Sequence, residues 1–437
     1  MLARVYRPLL LVLLAAGCAL YSDVAIQPLM ILPSNIDRGS DLPSMLRKAD
    51  YLRAIDMAPV VDARAKQDAS DLAAIGQANL AAGRFDEARK RLRAAIDLKP
   101  FRTTYATIAW DLAQVEYLSN NFETSLDWAE VAIEHGMSVR DWHLAYLRSL
   151  SNVPVYQFSG ASTDRLPFHF GRPDVPRVAV KINGSTPSEA IIDSGAVVSI
   201  ISKRLATSID VRSLGDFEGT FFGLLGEPIP VRFGLLEKLE LGDIILANVP
   251  VAIMPDDKMK FLISRSAGEE FRMDFLLGTN LLKEFRLELN FDKSHAVFTR
   301  LTAADRKIDA NQNLFYDGFR PHVRGAINRR GWFLFILDTG SEITFLNESR
   351  LASLPVTTFT PKVHTAMLQG LGGATKRGAK IENVEIGVDE WAGIFKTLPM
   401  YASGDRDQAV GIVGQNYLKN FNVIIDFGTM RVDLRRR

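Results

Sequence analysis

The 437-residue sequence predicts a multidomain α + β protein, an N-terminal α-helical repeat region followed by a two-lobed all-β unit. Three observations carry that prediction. Residues 45–150 are rich in alanine, leucine and charge, with apolar positions at helical spacing and few glycines or prolines. Further on, apolar runs such as Ala190–Ile192 and Phe333–Leu337 each end in a tight turn and are followed by a second apolar run, the pattern of buried strands. The β region also repeats itself: Gly278, Asn280, Leu282, Lys283 and Phe285 recur as Gly414, Asn416, Leu418, Lys419 and Phe421 at one offset (414 − 278 = 136).

At the N-terminus, Arg4 and Arg7 precede the apolar run Leu9 to Gly17, which ends at Cys18, the sole cysteine. The run is too short to span a bilayer, and residues 1–17 have the form of a secretory signal. Small residues before a lone cysteine resemble a bacterial lipoprotein processing site, although the leucine usual at Ala15 stands at Leu14. That resemblance implies lipidation of Cys18 and a membrane anchor in the cell envelope; a simple cleaved signal is the alternative. By the same resemblance, Ala19 rather than aspartate after the cysteine implies the periplasmic face of the outer membrane. With its cysteine used as an anchor the mature chain forms no internal disulfide, so stability must come from a core that 47% hydrophobic content supplies.

Residues 18–44 read as a linker, and 45–150 as the helical domain. Within it, Leu80 to Ile96 resembles the turn and second helix of a tetratricopeptide repeat closed by Pro100, and Tyr117 to Ile133 is a looser copy. The two phenylalanines Phe85 and Phe122 lie 37 residues apart (122 − 85), against about 34 for that repeat. Such helix pairs leave a groove that can hold a partner protein, or else pack against the lobes. Trp110, Trp128 and Trp142 are expected in the core. Pro154, Gly160, Pro167, Gly171 and Pro173 mark residues 151–173 as a second linker. Lobe 1 then spans 174–301, a polar connection 302–313, and lobe 2 314–437.

Each lobe holds one short triplet after a buried strand, Asp193-Ser194-Gly195 and Asp338-Thr339-Gly340, at an offset of 145 (338 − 193). Glycine permits the tight turn, and a small hydroxyl can bond backbone from within a core. With the hydrophobic-hydrophobic-Gly segments Leu276-Leu277-Gly278 and Ile412-Val413-Gly414, each half resembles a lobe of a retropepsin-like aspartic protease. The resemblance covers roughly 165–435. It implies a two-lobed aspartic protease fold of the single-chain, pseudo-twofold kind, monomeric with its lobes paired internally rather than through dimerisation.

The resemblance further implies a catalytic pair, Asp193 and Asp338, hydrolysing polypeptide substrates with a shared water, and loop support from Ser194, Gly195, Thr339, Gly340 and Ser341. Leu277, Gly278, Val413 and Gly414 would pack behind the catalytic loops. Two glycine-rich stretches, Phe222-Gly223-Leu224 and Gly370-Leu371-Gly372, fall where flap hairpins would cover substrate, though ordinary hairpin turns have the same composition. Neither has the flap tyrosine of pepsin-like enzymes, which favours the retroviral style. Two carboxylates about 3 Å apart cannot both ionise, so one polarises the scissile carbonyl while the other activates water. Ser341 could donate to Asp338 whereas Ala196 cannot donate to Asp193, so Asp338 is expected to be the more acidic and Asp193 the proton carrier. A dyad of low pKa would lose its shared proton near neutral pH.

Charge is balanced, 52 basic against 51 acidic residues without a basic stripe, which argues against nucleic-acid binding. Six scattered histidines form no metal site, no cofactor motif occurs, and neither a Gly-x-Ser-x-Gly elbow nor a phosphate loop is present. A non-catalytic envelope lipoprotein that binds peptides or proteins through the same cleft and the helical repeats is the competing reading.

Overall fold

The computed structural model describes residues 24–31, 41–64, 66–223, 227–264, 269–351, 366–369, 375–401 and 408–437. Cys18 and the signal-like segment lie outside them. Three short helices, Leu42–Arg47, Tyr51–Asp56 and Ala58–Asp62, lead into α1 (Ala69–Ala81), α2 (Phe85–Asp97), α3 (Arg102–Leu118), α4 (Phe122–Glu134) and α5 (Asp141–Leu150). The Asp68 carboxylate caps α1 by accepting the Ser70 N–H at 2.7 Å, and Gly83, at φ 72°, turns the chain into α2. Helices α1 and α2 touch at Gly76, where a Cβ would lie 2.7 Å from Leu92 Cγ. Helix α2 is amphipathic, with Ala88, Leu92 and Ala95 inward.

Helix α3 is buried almost all round from Ala106 to Leu118, because helices flank one side and the β unit the other. Its buried Glu116 is paired: Arg89 of α2 donates to it at 2.7 and 3.1 Å, and Asn121 at 2.9 Å. Trp110 and Trp142 are buried and Trp128 is half-buried. Among the described residues no helix is long and apolar enough to cross a membrane.

The β unit is two copies of one arrangement. In lobe 1 the elements that matter to the site are β1 (Ser188–Ile192), β2 (Ile200–Ser202), the hairpin β3 (Gly219–Phe222) and β4 (Pro228–Leu241), then β5 (Phe275–Leu277), α6 (Thr279–Leu282) and β6 (Phe285–Asn290). In lobe 2 they are β7 (Arg320–Ile327), β8 (Arg330–Leu337), β9 (Phe345–Asn347), β10 (Gly411–Val413), α7 (Gln415–Leu418) and β11 (Phe421–Asp426). Strand β5 runs parallel to β1 and antiparallel to β2; β10 stands in the same relation to β8 and β9. Strands β6 and β11 pair across the lobes with Glu288 opposite Ile424. Since 424 − 288 = 136, the repeat offset, each strand pairs with its own copy, and a pseudo-twofold axis passes between them.

Two segments read as linkers contain strands. Gln157–Gly160 pairs with Ile244–Met254, and Thr163–His169 with His295–Arg300. Leu166 and Phe168 alternate inward there, and Pro167 is tolerated because its strand has a partner on only one side at that position. Ala25–Pro28, inside the first linker, adds to the lobe-2 strand Trp391–Tyr401. The helices dock directly on both lobes: Trp142 packs on Phe221 of lobe 1 (5.0 Å), and in lobe 2 Tyr51 packs on Phe315 (5.7 Å), Phe85 on Tyr316 (6.0 Å) and Tyr117 on Phe319 (4.3 Å), while Gln312 of the connection donates to the Ala82 carbonyl at 3.1 Å.

Candidate active site

Each aspartate leaves the end of a buried strand and is held there by the following motif. The Asp193 N–H donates to the Leu277 carbonyl at 3.0 Å and the Asp338 N–H to the Val413 carbonyl at 3.1 Å. The glycine that follows permits this approach. A Cβ on Gly278 would lie 2.5 Å from the Val198 carbonyl carbon, and one on Gly414 2.4 Å from the Ile343 oxygen.

A polar brace then repeats in both lobes. The Gly278 N–H donates to Ser199 Oγ (2.9 Å), and the Ser199 N–H to Asn280 Oδ1 (2.8 Å). The Gly414 N–H donates to Thr344 Oγ1 (3.1 Å), and the Thr344 N–H to Asn416 Oδ1 (2.8 Å). Thr279 Oγ1 donates to the Ser194 carbonyl (2.8 Å), where lobe 2 uses Gln415 Nε2 on the Thr339 carbonyl (2.7 Å). Ser199 and Thr344 obey the 145 offset (344 − 199) and were legible as a pair, while Thr279 and Gln415 occupy equivalent positions with different chemistry, which identity matching passes over.

The triplets clasp each other across the axis. Ser194 Oγ donates to the Leu337 carbonyl and Thr339 Oγ1 to the Ile192 carbonyl, both at 2.7 Å. In return the Ser194 N–H donates to Thr339 Oγ1 (3.0 Å) and the Thr339 N–H to Ser194 Oγ (3.1 Å). All of these groups are buried. The triplet glycines complete the contact: a Cβ on Gly195 would lie 2.5 Å from Asp338 Cγ, and one on Gly340 2.4 Å from Asp193 Cγ. Each glycine therefore lies flat against the opposite carboxyl.

Both carboxyl groups are fully buried, and their inner oxygens are bonded locally. Asp193 Oδ1 accepts the N–H groups of Gly195 (2.9 Å) and Ala196 (3.0 Å); Asp338 Oδ1 accepts that of Gly340 alone (3.0 Å). Among the described residues the outer Oδ2 atoms receive no N–H or O–H donor except through a proton held by the pair itself. Burial raises the pKa of both, and the charge on Asp193 raises Asp338 further, while nearby Arg320 on β7 favours the ionised forms. With two backbone donors against one, the ionised form is better stabilised on Asp193 than on Asp338. This reverses the expected order. Ser341 donates to the Ile343 carbonyl at 2.9 Å instead of to Asp338, so the decisive donors are backbone N–H groups.

The lobe-1 hairpin is formed, with Phe222 opposite Pro228 and the Gly223 N–H donating to the Glu227 carbonyl at 2.9 Å. Leu224 lies outside the described residues. So do Gly370, Leu371 and Gly372, between the paired strands Ala366–Gln369 and Thr375–Val388 of lobe 2. Among the described residues no group of three or more His, Cys, Asp or Glu side chains could hold a metal ion. One buried acid beside one buried carboxylate can give a proton and take one at the same reacting centre.

Residues 178–281 match the family model described as Aspartyl protease, a stretch that includes the first triplet and the Gly278 segment. No curated protein sequence matches the chain. Among solved structures, a retropepsin-like aspartic protease from Rickettsia conorii is similar over 33% of this chain and 95% of its own, at 13% identity and a TM-score of 0.21. An aspartic proteinase from Irpex lacteus is similar over 63% of this chain and 97% of its own, at 10% identity and a TM-score of 0.32.

Proposed function

We propose that this chain is an aspartic endopeptidase whose two halves each supply one member of a catalytic pair. The observation that carries the reading is the reciprocal clasp, in which each triplet bonds the other's strand and each glycine lies against the other's carboxyl. Such a clasp fixes two carboxyls in one buried site, and the family match over residues 178–281 supports the same chemistry.

In this mechanism Asp338 enters protonated and donates a hydrogen bond to the scissile carbonyl, while ionised Asp193 accepts a proton from water. The water oxygen attacks the carbonyl carbon, the carbonyl oxygen takes the Asp338 proton, and a neutral tetrahedral diol forms. Collapse breaks the C–N bond as the proton now on Asp193 passes to the leaving nitrogen. One diol hydroxyl returns its proton to Asp338, and the starting state is restored.

The lipoprotein-like Cys18 supports anchoring in a bacterial envelope, on the periplasmic face of the outer membrane. The helix-turn-helix pairs α1–α2 and α3–α4 support a tetratricopeptide-like module. The test is cleavage of a diverse peptide library by the chain from residue 19 onward, beside Asp193→Asn and Asp338→Asn. Each variant should lose at least about a thousandfold in kcat/KM while keeping its fold. Binding of peptides without cleavage by the wild type would replace this reading with that of a peptide-binding protein.

A further inference from the structure

We propose that helix α5 fixes the posture of the lobe-1 hairpin over the dyad, with Arg140 and Trp142 as positioning residues for substrate. The proposal rests on the peptidase reading. Both strands of the hairpin are gripped from outside the lobe. The Arg140 guanidinium carbon sits 4.4 Å from the centre of the Phe222 ring, and the Trp142 ring meets Phe221 edge-on at 5.0 Å. Gly219 leaves no space beneath Trp142, since a Cβ there would lie 2.6 Å from Trp142 Cβ. On the second strand, Phe233 packs against Tyr146, one helical turn on from Trp142, at 4.8 Å.

The same helix reaches lobe 2. His143 stacks on Phe319 at 5.2 Å, with Tyr117 on the same ring at 4.3 Å. Phe319 immediately precedes Arg320, whose charge acts on both dyad carboxyls. Helix α5 is thus a strut between the lobe-1 hairpin and the lobe-2 segment that carries Phe319 and Arg320. A hairpin that covers substrate must move to admit it, and ordinarily its whole length can swing. Here α5 and Arg140 hold the first strand from Gly219 to Phe222 and the second at Phe233. The clearance for a bound peptide is then set by α5, outside either lobe.

The experiment uses the full chain and the variants Arg140→Ala, Arg140→Lys and Trp142→Phe, with two readouts. In hydrogen exchange, Arg140→Ala should speed exchange of amides 219–222, 229 and 231–233 by about fivefold, the size of one lost cation–π contact, while 188–192 and 330–337 stay unchanged. In kinetics, KM should rise by a similar factor with kcat nearly constant, and Arg140→Lys should restore both. Trp142→Phe keeps an aromatic on Phe221 and should give a smaller change in the same direction. Unaltered exchange in the hairpin of both Arg140→Ala and Trp142→Phe overturns the strut. Faster exchange with unchanged KM overturns its role in positioning substrate. If the wild type cuts no peptide, the peptidase reading falls and the positioning role with it, while the exchange result still decides whether α5 clamps the hairpin.

Discussion

At Gly195 and Gly340 a single methyl group would strike the opposite carboxyl of the Asp193–Asp338 pair. Gly340→Ala should therefore leave a folded protein with at least about a hundredfold lower kcat/KM, because a small misplacement of reacting groups has that effect; steady-state kinetics beside circular dichroism checks it. Ser194→Ala removes a donor from the Leu337 carbonyl and an acceptor from the Thr339 N–H at once. Two buried groups left unsatisfied should cost about 2–4 kcal/mol, measurable by urea denaturation. Burial, partly offset by backbone donors, pushes Asp193 up to about 7. Its ionised form is needed for attack, so kcat/KM should fall on acidification below about neutral, the opposite of the behaviour expected for a low-pKa dyad. The sign for stability follows from the same raised values. The folded chain holds protons that the unfolded chain has released, so the dyad stabilises below the ordinary carboxylate range of about 4, and that contribution is lost as pH rises through the folded value. Asp338→Asn should consequently gain urea resistance relative to wild type at pH about 8, and much less at pH about 4. The triplets were legible as residues because they repeat. The proton order was not, since it depends on how many backbone N–H groups point at each carboxylate, which side-chain identity does not encode.

At the level of elements, the turn between α3 and α4 and the end of α6 form a buried joint. Lys283 Nζ donates to Asn120 Oδ1 at 2.6 Å and pairs with Glu284 at 2.5 Å; Asn120 Nδ2 and Arg306 each donate to Glu284 at 2.9 Å. Burial raises the pKa of Glu284, but Lys283 and Arg306 outweigh it and hold the carboxyl below its usual range. Glu284→Gln should lose about 3–5 kcal/mol, because it leaves a buried ammonium without its counter-charge, whereas the double change Lys283→Met with Glu284→Leu should cost less; thermal and urea unfolding of both decide. Lys283 and Lys419 were legible as copies. Their different employment was not, because Lys419 is half exposed and pairs with Asp174 at 3.3 Å, while its twin meets a helix turn from 163 residues away. The strands at Gln157–Gly160 and Thr163–His169 were hidden for a related reason. Proline and glycine there suggest a loop, and only partners far along the chain, Ile244–Met254 and His295–Arg300, make them strands.

Over the whole molecule, the repeat offsets in the sequence already contained the pseudo-twofold axis, since the two strands that repeat at 136, β6 and β11, pair with each other about the position where Glu288 faces Ile424. What the repeat could not show is the third body on that frame, the helices that grip lobe 1 at Phe221 and Gly219 and lobe 2 at Phe319. Each of these contacts belongs to one lobe at a position without the same contact at the repeat offset, and so leaves no periodic trace. The order of the strands also has a bearing on when the protein could begin to act. Asp338 is seated by Val413, 75 residues further on (413 − 338), and the inter-lobe ladder closes only with Phe421–Asp426. During synthesis at roughly 5–20 residues per second, both aspartates emerge seconds before the segment that joins them. On the peptidase reading, a nascent chain paused anywhere short of that segment carries both acids and no dyad, and the capacity to cut would arise only once the second half has closed on the first.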